Sequence, residues 1–339
     1  MKILIITDAW YPQINGVVKT LSEVGKVLCN QGHQVDFITP NEFKTFPCPS
    51  YPEIRLSWNT WKLGGLIRKL DPDAIHIATP EAPLGIAARC YCIWHKIPYT
   101  SSYHTKIPEY IHMRYPFIPE GLIYRFMRWA HKDSKAVLAT TPTMLREMKE
   151  HKFKPRLVVW NRGVDYSTFK YNENISVDYK KTLVYVGRVS IEKNIEAFLK
   201  LKIPNTRQLV IGDGPAMKEV KEKYPKAIYV GYKNAQEIAH LVGKSSVFVF
   251  PSKTDTFGIV MIEAAACGTP IAAFPVTGPI DFVKEGVNGA LSENLQEAIE
   301  KALKVSRESC YLYTKANYSW EKCAKIFYDT LAPIHKNLD

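Results

Sequence analysis

Along the chain, short blocks of consecutive apolar residues alternate with longer stretches in which apolar positions recur every three or four residues. The first block is Ile3–Ile6. A polar loop from Thr7 to Asn15 follows, and then Val17, Leu21, Val24 and Leu28 line one face of a helix. Gly32 ends that helix and Gln34–Ile38 forms the next strand. Further strands are predicted at Asp73–Ala78, Pro98–Ser101, Val137–Ala139 and Leu157–Trp160, with helical stretches between them. Phe43–Trp61, aromatic and interrupted by proline, reads as loop or edge structure. Short buried strands separated by helices are the pattern of a doubly wound parallel sheet.

From Asn161 to Lys181 the chain turns polar and irregular, as a linker does. A second series then begins, with strands predicted at Leu183–Val186, Gln208–Ile211, Ile228–Val230, Val247–Phe250 and Ile271–Phe274. The last helix, Ser319–Pro333, carries Trp320, Cys323, Ala324, Phe327 and Leu331 at helical spacing. At 339 residues the chain is long for one domain and suits two. The expected architecture is α/β, with two Rossmann-like domains facing across a cleft, one spanning 1–166 and the other 180–318.

Composition narrows the class. Hydrophobic content of 46% and charged content of 23% are those of a soluble globular protein. No apolar run approaches the length of a membrane span. The opening Met1–Asp8 reads as a buried strand and lacks a signal-peptide layout. Seven cysteines form no CxxC pair and no zinc spacing, so a reduced, cytosolic compartment is expected. Cys90 and Cys92 lie on a predicted helix and should face different ways. The net charge of +12 permits nucleic acid, an anionic membrane surface or an anionic small substrate as partner. No RNP, KH, zinc-finger or basic-zipper pattern is present, which argues against nucleic acid. A solvated lysine-rich surface is the plain alternative.

The stretch Thr254–Pro270 joins two predicted strands through a turn and an apolar helix starting near Phe257 or Gly258, a βαβ unit. Helix starts at strand carboxyl ends are where open α/β sheets bind anions. Asp255 lies in the turn and Glu263 about two turns into the helix; they flank that start, or else Asp255 and Thr256 are ordinary cap residues and Glu263 is solvated. Gly187-Arg188 and Lys193-Asn194 bracket the next helix start, where two cations can neutralise a diphosphate. Gly212-Asp213-Gly214-Pro215 lacks the third glycine of a dinucleotide fingerprint. In the first half, Asn15-Gly16 opens a helix, and the glycine lets a phosphate or sugar approach the backbone. His104 follows a strand and can bind a sugar hydroxyl or move a proton, or serve only as a structural hydrogen-bonding residue. Asp71-Pro72-Asp73 spells a metal-binding D-x-D, but its place before an apolar run makes it a turn into a strand, and no metal is predicted. Arg114 through Lys132 mixes aromatics with cations, as an interfacial segment does, or a core-packed helix with solvated cations.

The spacing of Asp255 and Glu263 around Thr256-Phe257-Gly258 resembles the E-x7-E motif of the retaining glycosyltransferases of family 4, with Asp in place of the first Glu. Gly187-Arg188 to Glu192-Lys193-Asn194, Gly212–Pro215, Pro12–Val18 and Tyr103-His104-Thr105 with Pro108-Glu109-Tyr110 are similar to further stretches of that family, in the same order. Ser319-Trp320-Glu321 looks like the start of its C-terminal helix. The resemblance implies the GT-B fold, with an acceptor-side first domain, a donor-binding second domain, and the segment 319–339 packing back on the first. It implies transfer of a hexose from a UDP- or GDP-sugar, GDP-mannose among them, to a hydroxyl of a lipid or glycan acceptor. Configuration would be retained, with no metal, no cofactor and no covalent nucleophile. By the same resemblance His104, Arg188, Lys193 and Asp255 are the candidate catalytic residues. Gly16, Gly214, Thr256, Phe257, Gly258 and Glu263 are the candidate donor-binding ones. The expected setting is cytoplasmic, with a peripheral place at the inner face of the membrane left open. Two other readings stand beside it: a nicotinamide-dependent oxidoreductase, which lacks a complete G-x-G-x-x-G, and a non-catalytic module binding anionic lipid.

Overall fold

A computed structural model describes residues 1–13, 15–48, 51–174 and 181–334. It divides into two compact units, Met1–Arg162 with the segment from Trp320 onward, and Gly163–Ser319.

In the first unit, β1 (Lys2–Ile6), β2 (Gln34–Ile38), β3 (Thr45–Cys48), β4 (Tyr51–Ser57), β5 (Ala74–Ile77), β6 (Tyr99–Tyr103), β7 (Ala136–Ala139) and β8 (Arg156–Val159) follow in chain order. Six of these form one sheet in the order β2-β1-β5-β6-β7-β8, and every pairing in it is parallel. The run Ile3–Ile6 is apolar throughout because helices cover both sheet faces; none of its residues is more than 1% exposed. The helix Gly16–Asn30 starts where Asn15 accepts hydrogen bonds from the amides of Val17 and Val18, and it buries Leu21, Val24 and Leu28. The stretch read as loop or edge structure holds an antiparallel ribbon of β3 and β4, apart from the main sheet. Pro47 conceals it in the sequence, yet a two-stranded ribbon leaves each strand an outer edge where a missing N–H costs nothing.

The final helix spans Trp320–Thr330, inside the predicted Ser319–Pro333. Its Trp320, Cys323, Ala324 and Phe327 join Ile3, Ile5, Leu21, Val24, Leu28 and Trp160 in one core. The first unit therefore closes its core only with residues from the far end of the chain. On the helix Pro83–Trp94, Cys92 is buried and Cys90 exposed, as their spacing requires.

The second unit contains β9 (Lys181–Val186), β10 (Thr206–Ile211), β11 (Ile228–Tyr229), β12 (Val247–Phe250), β13 (Ile271–Ala273) and β14 (Gly289–Leu291). Their order in the sheet is β11-β10-β9-β12-β13-β14, all parallel. The first strand thus lies in the middle, and the chain reverses its direction of travel between β9 and β12. β14 was not predicted: Gly-Ala-Leu gives no apolar block, and its glycine is needed because a Cβ at Gly289 would lie 2.3 Å from the Ile271 carbonyl oxygen. Part of the expected linker is packed, since Val164 and Phe169 are buried in this unit's core. Positions 175–180 of that linker lie outside the described residues.

Candidate active site

Ligands of open α/β sheets bind beyond the strand carboxyl ends, at the place where the strand order reverses. In the second unit that place lies between the loops following β9 and β12, and the two loops are tied together there. Lys193 Nζ donates to Asp255 Oδ1 at 2.5 Å. Asn194 Nδ2 donates to the Pro251 carbonyl at 3.0 Å, and Thr254 Oγ1 to the Glu192 carbonyl at 3.2 Å. Asn194 and Thr254 carry no chemistry that a sequence reader would single out, yet they fix the spacing of the two loops. Arg188 leads the first of these loops; the Tyr185 hydroxyl donates to its carbonyl at 2.7 Å.

The loop after β10 is zipped to the loop after β9. Val189 N donates to the Asp213 carbonyl at 2.9 Å, and Ala216 N to the Val189 carbonyl at 3.0 Å. Gly214 is required by this contact, because a Cβ there would meet the Val189 carbonyl oxygen at 2.4 Å. The glycine's need is thus met by the protein's own backbone, whatever ligand sits nearby.

The helix after β12 spans Ile259–Ala266, eight residues, and so starts one or two positions later than predicted. Phe257 is drawn into the core first, 5% exposed and edge-on to Tyr318. Gly258 then turns the chain at φ +81° as the residue preceding the helix. A Cβ at Gly258 would also meet Phe250 Cζ at 2.7 Å. Thr256 is 9% exposed and Glu263 only 6%, which removes the alternative in which Glu263 is a solvated surface residue. A buried carboxylate on the second turn of an apolar helix needs hydrogen-bond donors. The loop following β13 closes over the turn: a Cβ on Gly278, at φ +92°, would lie 3.0 Å from the Phe257 carbonyl oxygen and 3.2 Å from that of Asp255.

In the first unit, Gly16 is the first residue of the helix Gly16–Asn30. His104 follows β6 and ends a buried polar chain. Its Nε2 lies 2.7 Å from Ser102 Oγ, which lies 3.0 Å from His76 Nε2, whose Nδ1 is 2.9 Å from Thr100 Oγ1. Its Nδ1 is 3.2 Å from Arg162 Nη2. Burial first, and then the Arg162 guanidinium, hold His104 well below the usual histidine range, so the ring is neutral at pH 7. His76 and His131 are pushed down to about 3 by burial. A single histidine inside an apolar block, as at Ala74-Ile75-His76-Ile77, was the one sequence signal for this chain.

Asp71 and Asp73 have structural duties. Asp71 ends the helix Leu63–Leu70 in the left-handed region at φ +46°, and Asp73 accepts the Lys2 amide at 2.7 Å. Among the described residues no group of histidine, cysteine and acidic side chains is placed to hold a metal ion, and no helix is long and apolar enough to cross a membrane.

The comparisons with known proteins agree with this geometry. The profile of Glycosyltransferase Family 4 matches residues 14–168, and that of Glycosyl transferases group 1 matches residues 168–317. The chain is 29% identical over 342 residues to a GDP-mannose-dependent alpha-mannosyltransferase of Corynebacterium glutamicum, covering 91% of this chain and 82% of the relative. It is 26% identical over 350 residues to an alpha-monoglucosyldiacylglycerol synthase of Streptococcus pneumoniae, covering 89% of this chain and 78% of the relative. Among solved structures, Anabaena HepE in complex with UDP superposes with a TM-score of 0.74 at 17% identity, covering 97% of this chain and 99% of that one. Two Rossmann-like units of the GT-B class, carrying these two profiles end to end, make the chain a member of the retaining glycosyltransferases of family 4, enzymes that use a nucleotide-sugar donor.

Proposed function

We propose that the protein transfers mannose from GDP-mannose to a hydroxyl of a glycolipid acceptor, with retention at the anomeric carbon. The observation that carries this reading is the Lys193–Asp255 pair tying the loops after β9 and β12 at the strand-order reversal of the second unit, with Glu263 buried on the helix that follows β12. Breakage of the bond between the anomeric carbon and the β-phosphate oxygen leaves negative charge on that oxygen. Arg188, Lys193 and the free amides at the start of the helix Ile259–Ala266 stabilise it. The acceptor oxygen bonds to the anomeric carbon on the same face, and its proton passes to the departing phosphate. Glu263 accepts from the ribose hydroxyls and Asp255 from the sugar. Thr256, Phe257 and Gly258 shape the turn, and Gly214 the floor of the nucleotide site. The first unit's candidates are Gly16 and His104. No metal and no cofactor are enlisted.

The donor follows the mannosyltransferase relative and the acceptor the diacylglycerol-type relative. A peripheral seat on anionic lipid is supported by the helix Glu120–His131. There Leu122, Phe126 and Trp129 lie at helical spacing and are 59%, 40% and 38% exposed, and Phe117 nearby is 80% exposed. Arg125 and Lys132 flank this stripe.

The test is turnover of GDP-mannose by the wild type and by Arg188→Ala. Loss of one donor to a developing oxyanion lowers kcat by roughly 10²–10³-fold. A variant within threefold of wild type would remove the charge-stabilising role. UDP-glucose turned over faster than GDP-mannose would reassign the donor.

A further inference from the structure

Arg162 is only 3% exposed and, among the described residues, forms no ion pair with a carboxylate. Its Nη1 donates to the Trp160 carbonyl at 2.7 Å and to that of Asn161 at 3.3 Å, and the guanidinium lies 4.7 Å over the Trp160 ring. Trp160 is itself anchored, its Nε1 donating to the Cys323 carbonyl of the final helix at 3.0 Å. A buried cation held this way has a fixed direction, and its Nη2 points at His104 Nδ1.

We propose that Arg162 is a positioning residue for His104, dictating which ring nitrogen carries the proton. A guanidinium only donates, so His104 Nδ1 must accept. The proton then resides on Nε2 and is donated to Ser102 Oγ across 2.7 Å. Ser102, receiving that bond, directs its own hydrogen onward to His76 Nε2 or to the Ala78 carbonyl. Both nitrogens of His104 are thereby engaged by the protein. A second proton would have to enter at Nδ1, against the donor N–H of a cation. His76 from β5 and His131 from the helix Glu120–His131 also act on the ring, and Cys323 lies beside Arg162. Both histidines resist protonation and supply no negative charge. His104 thus serves as a fixed neutral ring and carries no proton in the reaction.

The experiment is ¹⁵N NMR of histidine-labelled protein, with the pH profile of kcat/KM for GDP-mannose alongside. In the wild type His104 is expected as the Nε2–H tautomer with no titration between pH 5.5 and 8. Arg162→Met leaves Nδ1 without an obligate donor, so the Nδ1–H tautomer should appear beside the Nε2–H form, while burial still keeps the ring neutral through that window and kcat/KM gains no acid limb from it. Arg162→Lys, which restores a group that only donates, should return the single Nε2–H tautomer. An Nδ1–H tautomer in the wild type overturns the proposal without any variant being made. So does Arg162→Met with the tautomer unchanged, or a wild-type His104 titration matched by an acid limb in kcat/KM. Only the kinetic arm rests on the glycosyl-transfer reading; the tautomer stands or falls without turnover.

Discussion

At the scale of single residues, the two candidate carboxylates differ in kind. Asp255 is paired with a lysine at the loop surface, whereas Glu263 is buried among apolar neighbours on its helix. A hydrogen bond to a charged group is worth about 1.5–3 kcal/mol. Glu263→Gln, which keeps the shape and loses the charge, should therefore raise KM for the donor roughly tenfold or more while kcat changes little. Initial-rate kinetics check this; a fall in kcat at constant KM would mean that Glu263 acts in the transition state. The buried histidines make a second prediction. His76, His131 and His104 refuse protons in the folded state that the unfolded chain accepts below pH 6.5. Stability from them is complete above pH 6.5 and is lost as pH falls, for His76 and His131 until about pH 3, each of these two rings contributing a slope of about 1.4 kcal/mol per pH unit. Asp8 works the other way: burial raises its carboxyl to about 6, so the folded state holds a proton that the unfolded chain has released. Asp8→Asn removes that opposition. Denaturant titrations should then show stability falling faster with acid between pH 6 and 4, by about 1.4 kcal/mol per pH unit. An unchanged slope would show that Asp8 is ionised in the fold.

At the scale of elements, the turn before the helix Ile259–Ala266 shows what the sequence could and could not display. The apolar blocks located nearly every strand, because a strand buried on both faces tolerates little else. The sequence places the helix start one or two positions early because Phe257 looks like the beginning of an apolar run. The reason it is not helical is tertiary: Phe257 is needed in the core against Tyr318, and Gly258 must turn the chain back at positive φ. Gly258→Ala should cost about 1–2 kcal/mol for the left-handed backbone alone, with the overlap on Phe250 in addition. Thermal unfolding checks it, and a variant as stable as wild type would mean that the turn relaxes freely. The candidate site was legible in the same uneven way. Motif spacing marked Arg188, Lys193, Asp255 and Glu263, and the pairing of Lys193 with Asp255 then follows from β9 and β12 being neighbours. The contact of Arg162 with His104 spans 58 positions and depends on which strands lie side by side, so no local pattern announces it. The ribbon β3–β4 was obscured by a proline that its free edges tolerate.

At the scale of the whole molecule, the net charge of +12 bears on the proposed membrane seat through the cations that flank one exposed apolar stripe. Leu122, Phe126 and Trp129 share one face of the helix Glu120–His131, while Ile123, Tyr124, Met127 and Ala130 fill the core behind it. The earlier alternative, a core-packed helix with solvated cations, accounts for the second group and not for the first. Partial burial of three such side chains in a lipid interface contributes a few kcal/mol, and each nearby cation adds about 1 kcal/mol on an anionic surface. Neither contribution alone holds a protein on a membrane. The proposed seat rests on their sum, which falls as salt screens the charges. The full chain should therefore sediment with vesicles containing phosphatidylglycerol, much less with pure phosphatidylcholine, and less again in 0.5 M salt. Replacing Leu122, Phe126 and Trp129 together by serine should reduce sedimentation about tenfold or more while turnover on a short-chain, water-soluble acceptor persists. That pairing separates the membrane seat from the chemistry: loss of soluble-acceptor turnover would make the stripe part of the catalytic unit's integrity. Undiminished sedimentation of the triple variant would return the positive charge to a general solvated surface.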